Sequence, residues 1–206
     1  MKSWLRNKLL GSRTSEHKII GLRTIVVNTR PDIATSDVIA RLSEALELIR
    51  EHTPHYFRHL CRDFSHILVQ RYACRGAYLP TESVCLVELT FVVNPAFSPA
   101  QIAATILHEA MHARLHRLGF AFDVDGRARQ ERFCRRAEIE FGAAVPGGEP
   151  VVERAVQALS LSDENVAPQI DPRLAAHRIA QVDAAAKAPG WLRKAARRRS
   201  ESGADH

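Results

Sequence analysis

The stretch "FSPAQIAATILHEAMHARLHRLG", residues 97–119, combines a full set of helix boundary signals with an unusual group of polar side chains. Ser98 is the expected N-cap, a proline follows at the first helical position, and Gln101 can close a capping box with Ser98. Gly119 is the residue type that commonly ends a helix, because it adopts a positive φ without strain. These signals predict a helix from about 99 to 118.

The polar side chains of this helix fall on one strip of its surface. At 100° per residue they lie within a sector of about 100°, and most of the remaining circumference is aliphatic. Leaving polar groups buried and unpaired is costly, so we expect the strip to face a cleft. The strip consists of Gln101, Thr105, His108, Glu109, His112 and His116.

The motif His108-Glu109-x-x-His112 within the strip is typical of zinc hydrolases. Two imidazoles one helical turn apart can each direct a nitrogen at one Zn²⁺, and Glu109 beside them is placed as a general base for water. His116 lies about 12 Å along the helix axis from His108, too far to share the ion, and is interpreted as a substrate-side or surface residue. A polar helix face that happens to be rich in histidine is the alternative interpretation.

Catalytic zinc usually has three protein ligands and a water, so a further ligand is required. Eighteen residues separate His112 from Glu131, giving the pattern HExxH-x18-E. With this pattern, residues 76–146 resemble the gluzincin class of zinc metallopeptidases, the thermolysin and aminopeptidase type. The resemblance implies a zincin-like fold and a Zn²⁺ cofactor held by His108, His112 and Glu131. It also implies hydrolysis of peptide bonds with Glu109 as the catalytic base.

Helix lengths are consistent with Glu131 as the third ligand. The HExxH helix continues six residues past His112, and Glu131 lies six residues past Asp125, the expected cap of a second helix over 126–144. An antiparallel return therefore brings Glu131 to about the height of His112. Glu138, two turns further along the same face, is the alternative ligand. Whichever glutamate does not bind metal can orient a histidine that does.

The remaining pattern predicts a mostly helical α+β fold with a small mixed or antiparallel sheet of about three strands. In this zincin-like domain the HExxH helix is expected to pack against the Glu-bearing helix. Thr35 or Ser36 is expected to cap the first of two helices that precede residue 73. Other expected elements are a strand over 17–29, one or two strands over 76–94, a short helix near 150–161 and an Ala-rich helix near 173–187.

The segment "CLVELTFVV", residues 85–93, precedes the HExxH helix. Gluzincin-like domains bind extended peptide along an edge strand, and the resemblance makes this segment the candidate. A plain core strand is the alternative. Tyr78 lies just before the segment, and a Tyr or His often stabilises the oxyanion in this class. The sequence alone leaves that role of Tyr78 unassigned.

A chain of 206 residues, 46% of them hydrophobic, is long enough for one soluble core with appendages. The N-terminus lacks a leader pattern, and the four cysteines are widely spaced with no CxxC pair, which is typical of reduced thiols. A cytoplasmic protein is therefore expected. The expected organisation is a basic N-terminal segment over 1–16, a metallopeptidase domain over 17–162 with its core at 76–146, a helical extension over 163–188 and a basic flexible tail over 189–206.

The basic character of the chain is concentrated at its C-terminus. Residues 187–206 hold six Lys or Arg against two acidic residues, and so contribute +4 of the net charge of +6. We therefore expect a zinc metallopeptidase acting on peptide or protein substrates, with weak nucleic-acid or anionic-membrane contact through the tail. The alternative is a regulatory or nucleic-acid-associated protein with a zincin-like scaffold, whose tail binds polyanions.

Overall fold

The structure, a computed structural model, describes residues 14–120 and 124–167 and has an α+β architecture. The expected Ala-rich helix near 173–187 and the basic tail lie outside these residues. The described elements are β1 (Thr14–Ile19), β2 (Leu22–Val27), α1 (Thr35–His52), α2 (Pro54–Asp63), β3 (His66–Gln70), β4 (Gly76–Leu79), β5 (Val84–Glu88), α3 (Leu89–Val93), α4 (Pro99–Arg117), α5 (Val124–Ala144), α6 (Glu149–Leu159) and α7 (Asp163–Val166).

The strands form one mixed sheet with the order β1-β2-β3-β5-β4. β1 pairs antiparallel with β2, the pairs β2–β3 and β3–β5 are parallel, and β4 pairs antiparallel with β5 at one edge. The five strands exceed the expected number of about three. Two local features that a periodicity argument does not detect account for the difference.

The first feature is a tight turn inside the expected strand over 17–29. Ile20 and Gly21 both have positive φ, 49° and 88°, and reverse the chain so that Ile19 pairs with Leu22. Glycine adopts this conformation freely, whereas the β-branched Ile20 is an unusual residue for it. The single expected strand is therefore a hairpin.

The second feature is β3, which lies where helical spacing had been expected to continue. The helix α2 ends at Asp63, and Phe64 takes an extended conformation with ψ 138°. From His66 onward, buried and half-buried side chains alternate, and the strand is paired on both sides, with β2 and with β5. The apolar residues that fit helical spacing up to position 68 therefore lie partly in α2 and partly in β3.

The expected strand over 85–93 is also divided. β5 ends at Glu88, whose side chain accepts a hydrogen bond of 2.7 Å from the backbone N–H of Phe91 and so caps α3. Arg71 and Thr90 donate to the same carboxylate. Because β5 lies between β3 and β4, it has no free edge, and the expectation that 85–93 is an edge strand is wrong. The edge strand beside the HExxH helix is β4.

The helix α4 agrees closely with its expected bounds. Ser98 accepts from the backbone of Gln101, the Gln101 side chain accepts from the backbone of Ser98, and Gly119 has a φ of +85°. For α1, in contrast, the N-cap is Ala34, which makes no side-chain cap, and the expected caps Thr35 and Ser36 lie inside the helix. The expected helices at 126–144 and 150–161 are present as α5 and α6, and Asp125 lies inside α5.

The helix α4 is the centre of the fold, because it contacts α1, α2, α5 and β4. Such surroundings leave little of it exposed before its last turn, as its aliphatic circumference predicts. None of the helices within residues 14–120 and 124–167 is long and apolar enough to cross a membrane.

Candidate metal centre and its surroundings

The candidate site lies between α4 and α5. His108, Glu109 and His112 are buried on the face of α4 toward α5, although all three are polar. The helix α5 contributes Glu131 and Glu138, seven residues apart and therefore on one face of that helix. The residues named from the sequence thus come together at one helix–helix interface.

Three potential metal-binding groups, two imidazoles and one carboxylate, form a triangle in which each group approaches the other two to 3.2 Å. The Nε2 atoms of His108 and His112 are 3.2 Å apart. Each of them is also 3.2 Å from an oxygen of Glu131, Oε2 for His108 and Oε1 for His112. Where these nitrogen and oxygen atoms all present lone pairs they repel one another, so a proton on nitrogen or a metal ion must lie among them.

The dimensions of the triangle suit zinc. Zn²⁺ binds nitrogen and oxygen ligands at about 2.0–2.2 Å with tetrahedral geometry, which separates neighbouring ligand atoms by roughly 3.3 Å. The observed separations of 3.2 Å agree with that value. His108, His112 and Glu131 can therefore hold such an ion with little rearrangement.

Cys134 is a second possible third ligand, one turn beyond Glu131 on α5. Its Sγ and one nitrogen from each of His108 and His112 lie within 4.8 Å of one another. A thiolate on tetrahedral zinc lies about 3.6 Å from a histidine ligand atom, because the Zn–S bond is about 2.3 Å. Burial, followed by the nearby carboxylates, raises the pKa of Cys134 well above its usual range. The contacts of 3.2 Å with both imidazoles and the existing negative charge favour Glu131.

Glu138 lies on the opposite side of the His108 ring. Its Oε1 accepts a hydrogen bond of 2.8 Å from Nδ1 of His108, and since an ionised carboxylate only accepts, the proton is on Nδ1. Arg135 and Arg154 also donate to Glu138, at 2.8 and 3.3 Å. This arrangement directs Nε2 of His108 into the triangle, where it could bind a metal ion once it has lost its proton, as an outer carboxylate does for a metal-binding histidine.

The electrostatics of this region stabilise positive charge. Burial lowers the pKa of His108, but hydrogen bonds to Glu131 and Glu138 outweigh burial and raise it to about 10. Burial would raise the pKa of Glu131, yet the hydrogen bonds from His108 and His112 depress it strongly. A site that holds a proton this firmly in the absence of metal also attracts a divalent cation.

Glu109 lies beside the triangle without belonging to it. Burial raises the pKa of its carboxyl group, and electrostatic interaction with His108 and His112 opposes that effect. The backbone N–H of Tyr78 in β4 donates to the Glu109 carboxylate. The glutamate is thus held between the candidate metal-binding atoms and the edge strand.

The edge strand approaches α4 unusually closely at Gly76. A Cβ atom at this position would lie 2.7 Å from Cγ2 of Thr105 and 3.0 Å from Oε1 of Glu109. Further along β4, the Tyr78 hydroxyl is 3.1 Å from Nδ1 of His116. His116 therefore lies at the exposed rim beside β4 rather than among the metal-binding atoms, as its distance along the helix predicts.

Several residues of this region were not identified from the sequence. Cys134 and Arg135 share a helix face with Glu131, and a helical wheel of α5 could have found them. Arg154 comes from α6 and Gly76 from β4, so only tertiary structure shows that they approach the site. Tyr72 is near enough to Glu109 for that negative charge to add to the effect of burial in raising the pKa of the tyrosine.

No protein-family model, curated protein or solved structure matches this chain. Function is therefore inferred from the geometry of the site and from the chemistry of its residues.

The close approach at Gly76 predicts the effect of adding one methyl group. Gly76→Ala should lower the free energy of unfolding by about 1–3 kcal/mol, because the new Cβ overlaps Thr105 and Glu109. Thr105→Ser removes the nearest methyl group, so the double variant should be more stable than the sum of the single effects predicts. Urea unfolding of the four proteins measures the coupling, and an additive cycle would contradict the contact.

Burial of Glu109 predicts a stability that falls with pH in the metal-free protein. Because the pKa of Glu109 is raised in the folded state, the unfolded state loses its proton first as pH rises above the ordinary glutamate pKa of 4.5, and stability declines from there. Glu109→Gln removes this titration and should be more stable than the wild type at pH 8, with the difference shrinking toward pH 4. Urea unfolding with a chelator present measures it, and the exposed Glu153→Gln is the control. A variant less stable than the wild type at pH 8 would contradict the prediction.

Proposed function

We propose that this protein is a zinc-dependent metallopeptidase of gluzincin type. The observation that carries the proposal is the triangle of His108, His112 and Glu131 with sides of 3.2 Å, flanked by Glu109. A fortuitously polar helix face would not bring a carboxylate from another helix to both imidazoles at ligand spacing. Nor would it require a second buried carboxylate, Glu138, on the outer nitrogen of His108.

In the proposed site, His108, His112 and Glu131 hold the ion, and three protein ligands leave room for water and substrate. Zinc, when bound, supplies Lewis-acid activation of water and of the scissile carbonyl. Glu138 holds His108 in the tautomer that presents Nε2, and Arg135 and Arg154 keep Glu138 ionised. The role of these three residues is positioning.

Glu109 is the proposed acid–base group. Its carboxylate takes a proton from the attacking water as the new C–O bond forms, and returns a proton to the leaving amine as the C–N bond breaks. A raised pKa suits both steps, because the group is a stronger base and can also act as an acid near neutral pH. The hydrogen bond from Tyr78 fixes the carboxylate at the start of this transfer.

The position of β4 supports a peptide substrate. β4 is an edge strand, and its outer side is the proposed pairing edge for an extended chain. Two backbone groups of β4 already have partners, the Tyr78 N–H with Glu109 and the Gly76 C=O with the Cys74 thiol. The Glu109 carboxylate contacts this strand through Tyr78 and lies close to Gly76. A peptide paired with β4 would therefore pass beside the proposed base. The four cysteines are free thiols, which supports the cytoplasm as the proposed compartment.

The alternative function, polyanion binding by the basic tail, concerns residues 189–206, which lie outside the part of the chain that the structure describes. No observation among the described residues favours it over peptide hydrolysis.

The two candidate third ligands, Glu131 and Cys134, differ in which substitution should weaken zinc binding most. If Glu131 is the ligand, Glu131→Gln should lower zinc affinity by about 100-fold or more, Glu138→Gln by about 10- to 100-fold, and Cys134→Ser by less than about 10-fold. Competition with a chromogenic chelator at pH 7.5 measures the affinities. A thiolate-to-metal absorption band in the Co²⁺ form, lost in Cys134→Ser, would instead assign Cys134 as a ligand.

The proposed activity predicts that zinc content and catalysis separate in one variant. Glu109→Gln should retain stoichiometric zinc while kcat falls by about 100- to 10,000-fold, because general acid–base catalysis contributes that much. Zinc is measured by elemental analysis, and activity by cleavage of dye-labelled casein and quenched fluorogenic peptides, with Glu153→Gln as the control. Wild-type protein without stoichiometric zinc, or a fully active Glu109→Gln, would contradict the proposal.

A further inference from the structure

Arg75 is an exposed arginine held in a defined position immediately before β4. Its guanidinium carbon lies 4.3 Å from the ring centroid of Phe97 and 5.5 Å from that of Phe91, so the cation stacks on an aromatic surface. Among the residues that the structure describes, no carboxylate pairs with this guanidinium. The arginine is thus restricted in orientation but keeps its hydrogen-bond donors available.

A second guanidinium, that of Arg154 on α6, is close enough for its charge to act on Arg75. Arg154 donates to Glu138 at 3.3 Å, and its side chain is one-third exposed. The single negative charge of Glu138 is already shared with Arg135 and His108. Partial burial and the positive charge of Arg154 both lower the pKa of Arg75, as expected for two neighbouring cations with too few acidic partners.

Each arginine is connected to the proposed reaction centre through one neighbouring residue. Arg75 precedes Gly76, whose hypothetical Cβ lies 3.0 Å from Oε1 of Glu109, and Arg154 reaches His108 through Glu138. A peptide paired antiparallel to β4 has its C-terminal part beside the first residue of that strand. The residues that follow the scissile bond would therefore pass Arg75.

We propose that Arg75 and Arg154 form a subsite for a substrate carboxylate on the C-terminal side of the scissile bond. The proposal rests on the proposed peptidase function and deepens it by naming the substrate class: peptides with an acidic side chain, or a free C-terminus, just after the cleaved bond. The planar guanidinium of Arg75, oriented by Phe97 and Phe91, can donate two parallel hydrogen bonds to a carboxylate. Arg154 adds a second positive charge.

The test uses matched pairs of peptides derived from sequences that the zinc-loaded full chain cleaves. One pair is amidated and differs by Asp against Asn in the first positions after the cleaved bond; the other differs by a free against an amidated C-terminus. Values of kcat/KM are measured for the wild type, Arg75→Gln, Arg75→Lys and Arg58→Gln. Arg58 is an exposed arginine of α2 and serves as the control.

A wild-type preference of about 10- to 100-fold for the carboxylate-bearing member of a pair is expected, since a charge-assisted hydrogen bond is worth that much. Arg75→Gln should abolish the preference and leave the neutral peptides within about twofold of the wild type. Arg75→Lys should keep part of the preference, because it retains the charge without the planar fork. Arg58→Gln should keep all of it. The peptide pair that shows the preference tells whether the subsite binds an acidic side chain or a free C-terminus.

A second readout does not depend on turnover. Binding of the same labelled peptides to zinc-loaded Glu109→Gln, measured by fluorescence anisotropy, should show the carboxylate preference. The double variant with Arg75→Gln should bind both members of a pair equally. Equal cleavage and binding of both members of each pair, or a preference that survives Arg75→Gln, would overturn the subsite while leaving the peptidase proposal intact. Absence of any cleavage by the wild type would instead contradict the peptidase proposal. The anisotropy comparison, made then with unselected labelled peptides in matched carboxylate and amide forms, would still decide the subsite.

Discussion

The structure depends on one electrostatic constraint, the need for positive charge among three lone-pair donors that the packing of α4 against α5 brings together. His108, His112 and Glu131 lie at separations of 3.2 Å inside a helix interface. Protons satisfy the constraint in the metal-free protein, which is why the pKa of His108 rises to about 10. A divalent cation satisfies it with all three donors directed at one point.

The surrounding residues can be understood from the same constraint. Glu138 fixes the proton of His108 on its outer nitrogen, so the inner nitrogen is available. Glu138 is a second buried carboxylate, which would lower the stability of the fold if it had no partners. Arg135 on α5 and Arg154 on α6 are its partners. The third side of the site is β4, where Gly76 has no side chain and the strand can therefore approach Glu109. Each neighbour stabilises one member of the central group.

The sequence predicts α4 well because its signals are local. Ser98, Gln101 and Gly119 act within a few residues of the helix ends, and each takes the role that its type and position indicate. The contact between α4 and α5 could also be predicted, because the lengths of the two helices determine which residue of α5 lies level with His112. Glu131 and Glu138 could not be separated this way, because residues seven apart share a helix face. Only the packing shows which glutamate lies on the inner side of His108.

The sheet was harder to foresee because strand pairing is not local. Ile67 fits a helical pattern with residues of α2, yet it lies in β3 because β2 and β5 provide partners on both sides. The apolar run from Cys85 reads as one strand, but the Glu88 carboxylate caps a new helix within it. This division determines which strand is exposed at the sheet edge. The proposed substrate-binding strand is consequently β4 and not β5.

Burial of Glu109 links the fold to the proposed chemistry. A carboxylate in an apolar interface costs stability when ionised, and a protein selected only for stability would place a neutral residue there. The cost is reduced but not removed by the nearby imidazoles and the Tyr78 N–H, so the pKa remains raised. The same raised pKa makes the group a better proton acceptor from water. The conflict between local stability and polarity at Glu109 therefore supports the proposal that this interface is a reaction site.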